Sequence, residues 1–294
     1  SHDTDLRLGM TRDALLQAVA EDGGYDALVV RSQTRVDAEL LSAAAPRLSV
    51  VGVASVGTDR IDIDAATRAG VMVVNAPTGN TIAAAEHTMA VMLALLRRIP
   101  EADASVRRGE WERARYVGSE LRQRTVGIIG LGKIGKAVAR RAAAFEARIL
   151  AYDPYLTAEQ GTEANARLVG LPELLLRADV ISLHMALTDA TRGMIARPQL
   201  EAMKPGAYLI NTSRGSVVDE AALEAAVRNK GIRAGLDVFQ NEPGTSSGEL
   251  HNAVVKSPGV YGTHHVGAST DQAQVAIAHE VIRIVQAFKA TLAE

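Results

Sequence analysis

The run Gly130-Leu131-Gly132-Lys133-Ile134-Gly135 constrains this chain more than any other stretch, because of what flanks it. A β-rich segment, Thr125–Ile129, leads into it. A helical stretch at 134–145, a second β-rich segment, Arg148–Tyr152, and then Asp153 follow. Neighbouring parallel strands need a crossover such as a helix, so this alternation is the pattern of a parallel sheet with both faces covered. A glycine-rich turn at a helix N-terminus lets the backbone approach a pyrophosphate, with free N–H groups and a partial positive charge aimed at it. A lone GxGxxG can be a tight turn and nothing more; the ordered context of strand, glycines, helix, strand and acid outweighs that reading. The expected ligand is a dinucleotide held by Gly130, Gly132 and Gly135, with Asp153 accepting hydrogen bonds from the adenosine ribose. The same carboxylate would repel a 2′-phosphate, so NAD is expected over NADP.

The alternation extends in both directions. Before the glycine run, strands are expected at Ala27–Arg31, 48–53 and 71–74, followed by an apolar helix at 82–96 and a charged connection at 101–115 that holds Trp111. After it, strands are expected at 179–183, 207–211, 234–238 and 260–261, with helices including 220–228 and a long closing helix at Asp271–Leu292. No repeat of 20–50 residues stands out, and the only low-complexity stretch is the short loop 244–248. Asp153, His184, Arg214, Asp237 and the pair His264-His265 all fall at or just past strand C-termini, the edge where open α/β sheets bind ligands. One site built from several loops is expected.

At 294 residues two domains are the default. A net charge of −2 gives no general attraction for nucleic acid or anionic lipid, so any pull on an acidic substrate must be local. The absence of cysteine removes disulfides, thiolate metal sites and cysteine nucleophiles, and agrees with a cytoplasmic setting. The polar start Ser1-His2-Asp3 is unlike a signal peptide. The 82–96 segment is short of the ~20 apolar residues a membrane span needs and contains Glu86 and His87, so a helix buried in the protein or a subunit interface is expected instead.

Three further runs are specific: Asn211-Thr212-Ser213-Arg214-Gly215; Gly235-Leu236-Asp237-Val238-Phe239 with Glu242-Pro243; and His264-His265-Val266-Gly267-Ala268-Ser269-Thr270. With Val56-Gly57-Thr58-Asp59, Val74-Asn75-Ala76-Pro77 and Ala85-Glu86-His87 upstream, the chain resembles the D-2-hydroxyacid dehydrogenase family over nearly its whole length. The resemblance implies two doubly wound, parallel-sheet (Rossmann-like) α/β domains with a cleft between them: residues 1–97 plus 269–294 for substrate, 98–268 for NAD. It implies hydride exchange between NAD and C2 of a small 2-hydroxy acid, and a homodimer. No metal is expected, because the adjacent His264 and His265 lack the i, i+4 spacing that puts two imidazoles on one helix face, and the charge and hydropathy above lead to no nucleic-acid or membrane partner. By the same carry-over the catalytic arginine is Arg214, its glutamate Glu242 and its acid/base histidine His265, selected over His264 by the Val266-Gly267 that follows. Cofactor contacts fall on Lys133, Ile134, Thr212, Ser213, Asp237 and the turn through Gly267 and Ala268, and substrate contacts on Ser55, Val56, Gly57 and Arg214. The roles are chemically apt: a guanidinium fork grips a 2-keto acid, and a histidine paired with a carboxylate supplies the proton.

Tyr116-Val117-Gly118-Ser119-Glu120-Leu121 and Gly267-Ala268-Ser269-Thr270 are most similar to the members that oxidise 3-phosphoglycerate towards serine. Three departures are visible. His264 stands where the family usually has proline. The loop Val53-Ala54-Ser55-Val56-Gly57 lacks an arginine that many phosphoglycerate-oxidising members carry, which keeps hydroxypyruvate or glyoxylate reduction open as the alternative. The family's first strand and a C-terminal regulatory domain are expected to be missing. A non-enzymatic NAD-sensing corepressor is the rival from another class; no basic tail favours it. His87 reads as a structural or interface histidine, His184 is open between structure and function, and His251 and His279 read as surface residues.

Overall fold

The computed structural model describes residues 5–21, 24–31, 33–243 and 247–292. The polar start and positions 244–246 of the 244–248 loop lie outside the described residues. The chain divides into two units, Ser1–Asn80 with Gln274–Glu294, and Thr81–Ala273.

In the smaller unit α1 (Arg12–Ala20), β1 (Ala27–Arg31), α2 (Ala38–Ala43), β2 (Val50–Ala54), α3 (Ile63–Arg68) and β3 (Met72–Asn75) alternate as expected. The strands form a parallel sheet in the order β1-β2-β3. Leu40 and Leu41 of α2 and Ala65 and Ala66 of α3 pack with Val51 and Val53. Ile277 and Val281 of α11 (Asp271–Leu292) form a second cluster with Ala76. Asp37 and Asp62 accept the Leu40 and Ala65 amides and so fix where α2 and α3 begin.

The larger unit opens with α4 (Thr81–Leu96) and α5 (Ile99–Arg107). It continues through β4 (Thr125–Ile129), α6 (Lys133–Ala144), β5 (Arg148–Tyr152), α7 (Ala158–Glu163), β6 (Arg167–Leu168), α8 (Leu171–Arg177) and β7 (Val180–Leu183). The remainder is α9 (Arg197–Ala202), β8 (Tyr208–Asn211), α10 (Glu220–Lys230), β9 (Arg233–Leu236) and β10 (Val260–Gly262). All strands are parallel, in the order β10-β9-β8-β7-β4-β5-β6, so the direction of winding reverses between β4 and β7. Central strands are mostly apolar because both faces are covered: every residue of β7 and β8 is buried, Ser182 and Asn211 included. Each fully buried leucine or isoleucine there contributes about 1.5–3 kcal/mol of burial free energy.

Two differences from the sequence expectation have plain causes. The units part at Asn80, not at residue 97, because α4 buries Met89, Met92, Leu95 and Leu96 with Val126, Ile128 and Val138 of the larger unit. A helix apolar nearly all round fits either neighbour by pattern, and only packing assigns it. The 101–115 stretch is a connection only in its second half; its first half belongs to α5, where Pro100 sits in the first turn, Arg98 pairs with Glu101, and Arg107 pairs with Asp103 at 2.7 Å.

Candidate active site

The glycine run leaves β4 at the point where strand order reverses. Gly130 adopts φ 89° and donates its amide to Tyr152 at 2.9 Å, turning the chain sharply out of the strand. Gly135 lies against that turn: a Cβ on it would sit 2.1 Å from the Gly130 carbonyl oxygen, so only glycine lets α6 close on β4. Gly132 is the N-cap of α6, no side chain caps it, and a Cβ there would project into open space. At the end of β5 the Asp153 carboxylate accepts the Leu131 amide at 2.9 Å and the Tyr155 amide at 3.0 Å, which braces it beside the loop. Open space above Gly132, a helix N-terminus and an adjacent carboxylate form a donor and acceptor set that fits a dinucleotide.

His184, at the end of β7, sits behind this loop. Its amide donates to Ile129, its ring nitrogen Nε2 is 2.8 Å from the Ser182 hydroxyl, and burial pushes its pKa down to about 4. It is a neutral imidazole at physiological pH.

The second half of the site grows out of β8 and β9. Asn211 is 1% exposed, and its side chain organises the next three residues: Oδ1 accepts from the Ser213 amide and hydroxyl, and Nδ2 donates to the Arg214 carbonyl. Asparagine does this at loop starts because its side chain mimics a turn of backbone. The Thr212 hydroxyl lies 2.8 Å from that of buried Thr88 on α4. Arg214 is partly buried and anchored through Nη1 on the Ser213 carbonyl at 2.7 Å. Gly215 then presses on the chain after β9; a Cβ there would lie 2.0 Å from the Phe239 carbonyl carbon. That close approach aligns the Arg214 loop with the segment carrying Glu242.

Glu242 turns back on this segment, Oε1 accepting the Phe239 amide at 2.9 Å, while Oε2 lies 2.7 Å from His265 Nδ1. The carboxylate raises the His265 pKa above the ordinary histidine value, against burial and the positive charge of Arg214, with Asp237 adding to the rise. His265 occupies the left-handed region, φ 54°, which costs a non-glycine residue about 1–2 kcal/mol. Asp237 holds it there. Its carbonyl accepts the His265 amide at 2.8 Å, and its carboxylate, on a residue 1% exposed, accepts the Val266 and Gly267 amides at 2.9 and 2.8 Å and the Thr263 hydroxyl at 2.6 Å. Burial works against the Asp237 charge, yet these donors and His87 keep its pKa below the usual carboxylate range.

The structure thus brings Arg214, Glu242, His265 and Asp237 together in the larger unit. Lys133 is exposed at the start of α6, Ile134 is half-buried, and Ala268 closes the turn after Gly267. Ser55, Val56 and Gly57 lie in the smaller unit, just past the end of β2, where the Ser55 hydroxyl donates to the Gly57 carbonyl and Asn75 Nδ2 donates to that of Val56, both at 2.7 Å. His264, His251 and His279 are exposed. His87 is in contact with the site: Nε2 lies 3.0 Å from the Thr263 hydroxyl and 3.2 Å from Asp237 Oδ1. Neither Thr263 nor Thr88 is marked by any local sequence signal. The structuring role of Asn211 is foreshadowed by an asparagine placed directly before two hydroxyl residues.

A family model described as D-isomer specific 2-hydroxyacid dehydrogenase, NAD binding domain, matches residues 89–267. The chain belongs to this family. As a D-2-hydroxyacid dehydrogenase family member it carries the NAD-binding domain, which is the larger unit described above. It is similar to D-3-phosphoglycerate dehydrogenase of Archaeoglobus fulgidus, 46% identical over 274 residues that make up 93% of this chain and 50% of the relative. The enzyme of that name from Mycobacterium bovis is 50% identical over 269 residues, 90% of this chain and 49% of the relative. The chain therefore spans about half the length of the curated relatives it matches. Among solved structures, D-lactate dehydrogenase from Aquifex aeolicus complexed with NAD and lactic acid superposes with a TM-score of 0.84 at 32% identity, covering 94% of this chain and 85% of that one. A glyoxylate reductase from Paecilomyes thermophila gives 0.85 at 31% identity, covering 94% and 84%. No helix among the described residues is long and apolar enough to cross a membrane.

Proposed function

We propose that the chain interconverts a D-2-hydroxy acid and its 2-keto acid with NAD, and that its substrate pair is 3-phosphoglycerate and 3-phosphohydroxypyruvate, a step towards serine. The observation that carries the reaction class is the 2.7 Å pairing of His265 Nδ1 with Glu242 beside Arg214, on the sheet edge that also bears the glycine loop. Glu242 occupies Nδ1, so Nε2 is the nitrogen left to face a substrate oxygen. In the protonated ring Nε2 gives its proton to the carbonyl oxygen as C2 accepts a hydride, and in the reverse direction it takes the hydroxyl proton. Arg214 holds the substrate's carboxylate and carbonyl in a fixed orientation. NADH, when bound, supplies the hydride. Gly130, Gly132, Lys133, Ile134 and Gly135 would line its pyrophosphate, Asp153 its ribose, and Thr212, Ser213 and the turn at Gly267-Ala268 its nicotinamide half. We place the reaction in the cytoplasm, in a homodimer.

The choice of substrate rests on the curated relatives, which at 43–50% identity bear the name D-3-phosphoglycerate dehydrogenase. One observation favours a second reading, reduction of hydroxypyruvate or glyoxylate: the loop at 53–57 offers no cation, and its one polar side chain, Ser55, bonds within the loop. The test compares kcat/KM for phosphohydroxypyruvate and hydroxypyruvate at low and at high salt. A phosphate site prefers the phosphorylated compound strongly and loses part of that preference as salt screens exposed cations. Equal efficiency on both compounds rejects phosphoglycerate and leaves a general hydroxyacid reductase.

A further inference from the structure

The hydrogen-bond chain behind His265 continues into α4. The Thr263 hydroxyl donates to Asp237 Oδ1 at 2.6 Å, which leaves the Thr263 oxygen able to accept. His87 Nε2 faces that oxygen at 3.0 Å and Asp237 Oδ1 at 3.2 Å, both acceptors, so Nε2 carries a proton and donates to the pair. The ring also packs on the turn itself: a Cβ on Gly267 would lie 3.5 Å from His87 Cδ2 and 3.0 Å from Asp237 Oδ2. Asp237 in turn holds the amides of residues 265, 266 and 267 through its carbonyl and carboxylate. His87 therefore supports, from the helix side, the same buried carboxylate that keeps His265 in a left-handed conformation and within reach of Glu242.

We infer that His87 is a positioning residue for the reaction, acting through Asp237 and Thr263 to hold the 265–267 turn so that His265 meets Glu242. The inference rests on the proposed role of His265 as proton donor. The charged groups facing His265 are Glu242, Asp237 and Arg214; those facing His87 are Asp237 and, beside it on α4, Glu86, which pairs with Arg141. A neutral donor at position 87 is sufficient for this role. Removing it lets the turn relax, lengthens the His265–Glu242 contact and lowers the proton affinity of His265, because that contact is the main cause of the rise.

The experiment is an NMR titration of the His265 ring in the full chain without cofactor, assigned with His265→Asn, in wild type, His87→Leu, His87→Gln and Thr263→Val. Leucine should move the His265 midpoint to lower pH. Glutamine, whose amide nitrogen can reach the Nε2 position, should restore it. Thr263→Val should move it in the same direction as leucine, and serves if His87→Leu does not fold. In keto-acid reduction, kcat of His87→Leu should fall roughly tenfold, the scale of one hydrogen bond to a charged group, with the alkaline limb displaced downward. A midpoint that stays put or rises in the leucine and valine variants, or a glutamine variant no better than leucine, overturns the inference. A wild-type chain that reduces no keto acid defeats the proposed function instead, and the cofactor-free titration still judges His87.

Discussion

Gly215→Ala tests whether the contact between two loops sets the geometry of the proposed site. The alanine Cβ would lie 2.0 Å from the Phe239 carbonyl carbon, 2.1 Å from its oxygen and 2.6 Å from the Gln240 amide nitrogen, all backbone atoms with no rotamer to yield. Reaching the 3.4 Å of ordinary contact requires the two segments to part by about 1.4 Å. One segment carries Arg214; the other presents the Phe239 amide to Glu242, which holds His265. The displacement therefore falls between the group proposed to orient the substrate and the group proposed to protonate it. Misplacement by about 1 Å costs on the order of 10²-fold in rate, and forced overpacking about 1–3 kcal/mol of stability. NADH oxidation with a keto acid should show kcat down by about that factor, NADH affinity measured by fluorescence should change little, and the melting temperature should drop by several degrees. A variant with wild-type kcat and an unchanged melting temperature would refute the reasoning.

Other outcomes follow from single residues. Asp153→Ala should narrow the preference for NADH over NADPH, read as the ratio of kcat/KM values; a wild-type protein equally active with both cofactors contradicts the role given to Asp153. His265→Ala should lower kcat by about 10²–10⁴-fold, and Glu242→Gln should move the alkaline limb of reduction to lower pH. The sign is fixed because the proposed reduction needs protonated His265 and Glu242 raises its pKa, so rate is lost as pH rises through that value. His264→Ala abolishing turnover while His265→Ala spares it would show that the wrong histidine has been chosen. Burial opposes the Asp179 charge, but Lys204 at 2.8 Å and the Thr125 amide outweigh it and depress its pKa in the fold. Its stabilisation is present above the unfolded value near pH ~4 and lost as pH falls through the lower folded value, so the melting-temperature gap between wild type and Asp179→Asn should close in acid.

Much of this protein is written in short-range pattern. Thr125–Ile129, the glycines and Asp153 announce strand, turn, helix and strand because β-branched runs, glycine conformations and helix starts are decided within a few residues. The same locality placed Asp153, His184, Arg214 and His265 at strand ends and made the parallel sheet legible. Tertiary packing decided the rest. It assigned α4 to the larger unit, since a helix apolar on every face satisfies either core equally as a pattern. It paired His87 with Thr263, 176 positions away, and set both beside an Asp237 carboxylate buried under the 265–267 turn. A buried charge must find donors wherever the fold brings them. Sequence spacing carries no record of which distant residues will be adjacent when the sheet closes.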